Sequence, residues 1–315
     1  MISRGRLPRS VFHPGRPSAV LQSVVRRGPD QDPSGHREGR GARALIENRE
    51  TVGMDFHLEI CVDSVVSALA AEQGGATRVE LCSALVDGGL TPSIGIITRC
   101  VSQLSIPVHV LIRPRPGDFC YDSHEVAAML ADVLAAKKAG AAAVVVGALL
   151  IDGSVDVPTC KVLADAARPE MSVTFHRAFD MAGGELDSLL EDVIATGADR
   201  LLTSGQAPTA LEGIDSLECL LRASRGRIAI MAGGGVSVTS AAGFGRLLPP
   251  HGCLELHGTG GRVRDESAMK FRRSGVYMGG EKVNTDDTEY SNYFVSSERV
   301  HGIIQAATNP SPDGV

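Results

Sequence analysis

Tryptophan is absent from this 315-residue chain, and aromatic residues make up only 4% of it. The interior must therefore be built from aliphatic and small side chains. Ala and the 36 Gly suit tightly packed α/β layers, and 43% apolar residues are enough for a large core. No apolar run reaches about 18 residues, which excludes a membrane-spanning helix of ordinary length. Basic residues are not in excess. The formal charge is −6, whereas a general nucleic-acid binder carries a surplus of Lys and Arg. The seven Cys form no CxxC pair, and no secretory pattern accompanies them, so reduced thiols in a cytosolic-type compartment are expected. HExxH is missing, and no GxGxxG follows the first apolar run, which argues against zinc-protease and dinucleotide-binding designs.

Residues 1–53 differ from the rest. Arg4, Arg6, Arg9, Arg16, Arg26 and Arg27 precede the first acidic residue, Asp30, and Pro and Gly are dense. An Arg-rich, acid-poor start is a transit-peptide trait. Pro8, Pro14 and Pro17 would break the amphipathic helix such a peptide needs. The stretch is read as a disordered extension, or an upstream start ahead of Met54.

From Met54 a beat sets in. Short β-type runs fall near 56–62, 78–82, 107–112, 143–147, 172–176, 200–203, 227–231 and 253–257. Helix-type segments separate most of them: Val65–Gln73, Ile94–Val101, Glu125–Ala139, Thr159–Ala167, Asp187–Thr196, Leu211–Ala223 and a weaker Val238–Leu248. Caps punctuate them, with Ser64 and Ser93 before two helices and Gly74, Gly140 and Gly197 after others. Strand–helix alternation eight times in about 250 residues predicts a single closed (β/α)8 TIM barrel over 54–307. Residues 308–315, with Pro310, Pro312 and Gly314, are expected to be a disordered tail.

Residues i and i+2 of a strand share a face. In Glu59-Ile60-Cys61-Val62-Asp63 the carboxylate and thiol share one face, and Glu80-Leu81-Cys82-Ser83 repeats the arrangement. With the two strands parallel and in register, two carboxylates form one row and two sulfurs the next, close enough to hold one soft ion. By alternation the inward set is Glu59, Cys61, Glu80, Cys82, His109, Arg113, Thr174, His176, Glu255 and His257. Barrel interiors are normally branched and apolar, so these charges either pair structurally or serve a site at the C-terminal ends of the strands.

At these residues the chain resembles the CutC family of copper homeostasis proteins over about 56–306. The motifs that carry the resemblance are Glu59-Ile60-Cys61-Val62-Asp63-Ser64, Arg78-Val79-Glu80-Leu81-Cys82-Ser83, Gly88-Gly89-Leu90-Thr91-Pro92-Ser93 and Ile112-Arg113-Pro114-Arg115 with Gly117-Asp118-Phe119. Thr174-Phe175-His176-Arg177-Ala178-Phe179-Asp180-Met181, Leu202-Thr203-Ser204-Gly205 and Gly233-Gly234-Gly235-Val236 extend them. The resemblance implies the barrel, a cytoplasmic place (also nuclear in animals), a homo-oligomer, and Cu(I) binding with Cys61 and Cys82 as ligands. No membrane, nucleic-acid or organic-cofactor partner is expected. The segment Gly258-Thr259-Gly260-Gly261 is variable in that family, and the family name describes a phenotype rather than a reaction.

Two chemistries therefore stand side by side. Cu(I) is soft and takes thiolates, which Cys61 and Cys82 supply. Cys120 is a loop thiol, and Cys100, Cys160, Cys219 and Cys253 receive no role. The alternative is a barrel enzyme acting on a small anionic metabolite, with Glu59, Glu80, His176, Glu255 and His257 as acid–base groups. Arg113, Arg115 and Arg177 would hold the anion. Asp180, Thr203 and Ser204 would orient groups around it. Gly233, Gly234 and Gly235 would offer backbone N–H groups after the seventh strand, where barrels often bind phosphate. In the tail, Val276-Tyr277-Met278 reads as β-like, 279–292 as a polar linker, Tyr290–Phe294 as an aromatic packing cluster, and Val300–Ala307 as a helix.

Overall fold

The structure is a computed structural model and describes residues 56–249, 254–261, 263–266, 271 and 291–309. The expectations for 1–53, for Val276–Met278 and for 310–315 lie outside the described residues. Eight strands close a parallel barrel in chain order: β1 (Leu58–Val62), β2 (Arg78–Leu81), β3 (Val108–Leu111), β4 (Ala143–Val146), β5 (Ser172–Phe175), β6 (Arg200–Thr203), β7 (Ala229–Gly233) and β8 (Glu255–Gly258). Around it run α1 (Val65–Gln73), α2 (Ile94–Gln103), α3 (Ser123–Lys138), α4 (Val157–Ala167), α5 (Leu186–Ala195), α6 (Ile214–Ser224) and α7 (Ser297–Thr308). A two-stranded antiparallel ribbon, β9 (Val263–Glu266) and β10 (Ser291–Phe294), precedes α7; β10 holds residues 291–294 of the expected aromatic cluster and the last two residues of the expected polar linker, while 279–290 lie outside the described residues. No described helix is long and apolar enough to cross a membrane.

Local chemistry accounts for the helix limits. The Ser64 hydroxyl accepts from Ser67 N at the start of α1, and Asp156 accepts from Thr159 N at the start of α4. For α3 the cap is Asp122, in a capping box with Glu125. α6 begins at Ile214, three residues later than the pattern suggested. Gly213 lies so close to the β6 loop that a Cβ there would sit 2.0 Å from the Ser204 carbonyl oxygen, so the chain before Ile214 is held by that contact.

One expected helix is absent. Val238–Leu248 contains only a 3-10 turn, Ala241–Phe244. Gly in a helix interior costs roughly 1 kcal/mol relative to Ala, and Gly243 and Gly245 fall within one turn. A side chain at Gly243 would meet Leu211 Cδ1 at 2.5 Å, so the glycine serves close packing instead.

The register also differs from the in-register picture. Cys61 pairs with Glu80, and Glu59 with Arg78, so β2 is staggered by two residues against the expected alignment. Every strand pair is staggered in the same sense, as closure of a tilted barrel requires. The stagger builds layers from alternate strands. At the base lie Arg78, Ala143, Arg200 and Glu255, and above them Glu59, His109, Thr174 and Met231. The third layer is Glu80, Val145, Leu202 and His257. The topmost is Cys61, Leu111, His176 and Gly233. The outward faces of the strands, such as Leu58, Ile60 and Val79, are fully buried against the helices.

Candidate functional site at the barrel mouth

The charged layers divide into a closed base and an open mouth. In the base, Arg78 is 4% exposed and Glu59 is 0% exposed. Arg78 Nε donates to Glu59 Oε2 at 2.6 Å, its Nη2 donates to Glu255 Oε2, and Arg200 Nε donates to the same Glu255. His109 Nδ1 is 2.9 Å from Glu59 Oε2. Burial alone would favour a protonated Glu59, but Arg78 and His109 outweigh it and hold the carboxyl well below its usual range. Burial acts on Glu255 in the same way, and Arg200 and Arg78 reverse it. Glu59 and Glu255, both expected as acid–base groups, are thus placed in an ion-pair network beneath the mouth.

Arg78, Arg200 and Met231 were not among the inward residues expected from the sequence, and Arg78 entered only as part of a motif. The signal was available, because Arg78 stands two residues before Glu80 and Arg200 two before Leu202. Alternation carried downward along each strand would have found them.

The mouth holds a cavity of about 350 Å³. Cys61, Glu80, Cys82 and His257 line one side. The two sulfurs are 3.4 Å apart, both thiols are free, and both are buried. The stagger that separates the two residues in register thus still brings their sulfurs together. His257 Nε2 is 2.8 Å from Glu80 Oε2 and 3.8 Å from Glu59 Oε1. Burial pushes this imidazole toward neutrality, but Glu80 and Cys61 outweigh it and raise its pKa well above the ordinary histidine value. Its hydrogen bond to Cys61 and its burial push the Cys82 thiol well up, with the Glu80 and Glu59 charges adding to both. One ligand atom each from Cys61, Glu80 and His257 lie within 4.8 Å of one another, a cluster that could hold a metal ion.

His176, Arg113, Arg177 and the loop after β7 line the other side. His176 Nδ1 accepts from Ala178 N at 3.1 Å, which leaves the proton on Nε2. Burial lowers its pKa to about 4, so the ring is neutral. The ring has room because position 147 is glycine. A Cβ there would meet it at 2.5 Å. Phe119, which the sequence marked only as part of a motif and gave no role at the site, packs its ring 5.1 Å from the His176 centroid and 5.0 Å from Arg113 Cζ. Arg113 donates to the carbonyls of Asp87, Gly89 and Gly117, which fixes the loops around the mouth.

Asp180 is a hub under the rim. It accepts from Ser204 N and Oγ, both at 3.0 Å, from Thr203 Oγ1, and from Arg177 Nε at 2.7 Å. It aims Arg177 across Gly234, where a Cβ would lie 3.2 Å from the guanidinium carbon. Asp180, Thr203 and Ser204 stand behind the cavity wall. Arg115 is outside it, paired with Glu125 and Asp118 on the loop before α3.

The chain is thus a parallel (β/α)8 barrel protein with a thiol pair, a carboxylate and a histidine gathered at its mouth. The family is specific: a CutC family model matches residues 56–262, and the chain belongs to the CutC family. The chain is 45% identical over 253 residues to a CutC family protein of Chromobacterium violaceum, covering 80% of this chain and 98% of that one. It is 42% identical over 254 residues to the human copper homeostasis protein cutC homolog, covering 81% and 90%. The crystal structure of a CutC protein from Streptococcus agalactiae superposes with a TM-score of 0.59 at 29% identity, covering 65% of this chain and 98% of that one.

Proposed function

We propose that this CutC family member binds Cu(I) as a copper homeostasis protein, with the Cys61 and Cys82 thiolates as the ligands. The observation that carries the reading is the 3.4 Å contact between the two sulfurs at the open end of the barrel. Thiolates are the donors that Cu(I) selects over hard oxygen ligands. Metal–sulfur bonds are about 2.3 Å long, so one ion can reach both sulfurs at this separation and still stay open to a third donor. His257, whose ring nitrogen lies within 4.8 Å of the Cys61 sulfur, would be that donor. The homologues named for copper homeostasis support the same reading.

The surroundings make binding proton-coupled. Cys82 is held as a thiol and His257 as an imidazolium, so taking up the ion releases protons, and affinity rises with pH. The test is an anaerobic Cu(I) titration against a bathocuproine-type chelator, comparing the parent with Cys61→Ser/Cys82→Ser. The expected result is one-to-one uptake that the double variant loses, with weaker uptake at lower pH. Equal uptake by both proteins overturns the assignment.

A further inference from the structure

Away from the thiols, several hydrogen-bond donors with unused capacity line the cavity, set among Phe119, Ala178 and Leu202. His176 is 6% exposed, and its Nε2, which carries the proton, has no partner. Nδ1 accepts from Ala178 N, so Nε2 is the ring nitrogen left to donate, and the residue lines the cavity. Arg113 is 7% exposed, and its Nε is likewise buried and unpartnered while its other nitrogens hold loop carbonyls. Arg177 gives Nε to Asp180 and Nη2 to Ser204, and Nη1 carries no hydrogen bond among the described residues.

That guanidinium lies against the loop after β7, with Nη1 3.2 Å from where a Cβ on Gly234 would stand. Gly234 and Gly235 have φ of +109° and +78°, and a run of such residues turns backbone N–H groups into one concavity. Within the described residues, no protein acceptor meets the N–H of Gly235 or Val236. Both residues line the cavity. A buried donor without an acceptor costs about 1–3 kcal/mol, so a wall of them points to an acceptor-rich occupant. Glu80, the one carboxylate lining the cavity, is already engaged by His257.

We infer that this half of the mouth is a binding site for a small phosphate ester. The phosphate would rest on the Gly235–Val236 amides and Arg177, and a carbonyl or hydroxyl oxygen of the same molecule would accept from His176 Nε2. A volume of about 350 Å³ suits a short, few-carbon phosphate. The inference stands apart from the copper reading, since none of these donors is a soft ligand.

The experiment is calorimetric and phosphorus-NMR titration of copper-free protein with inorganic phosphate, glycerol 3-phosphate and malonate. Both phosphates are expected to bind in the millimolar range or tighter, and malonate more weakly. Arg177→Gln is expected to weaken both phosphates about tenfold, the loss of one charge-assisted contact. His176→Asn keeps an oxygen to accept from Ala178 N while removing the Nε2 donor. It is expected to weaken glycerol 3-phosphate by severalfold and leave inorganic phosphate nearly unchanged. No binding at tens of millimolar, malonate preferred over both phosphates, or undiminished binding in Arg177→Gln overturns the inference. Should Arg177→Gln fail to fold, His176→Asn decides it, and equal loss of both phosphates there counts against the proposed orientation. The titrations contain no copper, so their failure leaves the Cu(I) result untouched.

Discussion

Replacing Arg78 by Met is the sharpest test of what holds the barrel closed. Arg78 sits in the lowest layer and bridges Glu59 and Glu255, with Met231 Sδ 3.0 Å from its Nη2. Met would fill much of the space but leave Glu59, which has no exposed surface, without its strongest partner. Removing one member of a buried ion pair generally costs about 3–5 kcal/mol. Two groups cushion the loss here: Arg200 stays on Glu255, and His109 stays 2.9 Å from Glu59. The expected cost of Arg78→Met is therefore near the lower end, about 3 kcal/mol, read by urea unfolding at neutral pH.

Adding Glu59→Gln to Arg78→Met removes the stranded charge, and the double variant is expected to recover at least about 1 kcal/mol. The pH dependence has a definite sign. The folded pKa of Glu59 is depressed, so its stabilisation is present above the ordinary carboxylate value and disappears as pH falls through the folded one. Without Arg78 most of that depression goes, so the gap between parent and variant is expected to narrow as the pH approaches 4. A cost below about 1 kcal/mol, or a double variant no more stable than the single, would refute the view that these charges are buried and mutually dependent.

Other consequences are as direct. The folded pKa of His176, about 4, lies below the ordinary 6.5, so the unfolded chain takes up a proton first. Stability is expected to fall by up to about 3 kcal/mol between pH 6.5 and 4, and His176→Asn is expected to flatten that slope in unfolding curves across the window. Gly147→Ala forces a methyl to 2.5 Å from the His176 ring and is expected to cost about 1–3 kcal/mol in thermal or urea unfolding. An unchanged melting temperature would mean the ring moves freely. Asp180→Ala strips partners from Thr203, Ser204 and Arg177. Faster amide exchange at 203–206 is expected with a loss of about 2–3 kcal/mol, and unaltered exchange there would remove Asp180 as the hub.

Much of this architecture is legible along the chain. The strand–helix beat is local, since apolar runs of four or five residues, capping Ser and Asp, and stopping Gly each act within a turn or two of where they stand. The inward pair Glu59 and Cys61 follows from alternation alone, as does Glu80 with Cys82. The weak helix expected over 238–248 failed because close contact with Leu211, distant in sequence, uses Gly243 for space rather than for turn-making. The ion-pair base was missed for a related reason: Arg78 and Arg200 lie low on their strands, and attention to strand ends passes over them.

Residue types and their alternation thus determined, from the sequence by itself, that polar groups enter the barrel and which strands carry them. Only the tertiary structure decided their height. Closing eight tilted strands imposes a stagger, and the stagger sets Glu59 beside Arg78 and Cys61 beside Glu80. That separates Glu59 and Glu255, neutralised by arginine in the base, from Glu80, His257, His176 and the thiols at the mouth. Which carboxylate is structural and which faces a ligand depends on partners drawn from opposite strands across the barrel, and no spacing along the chain encodes that.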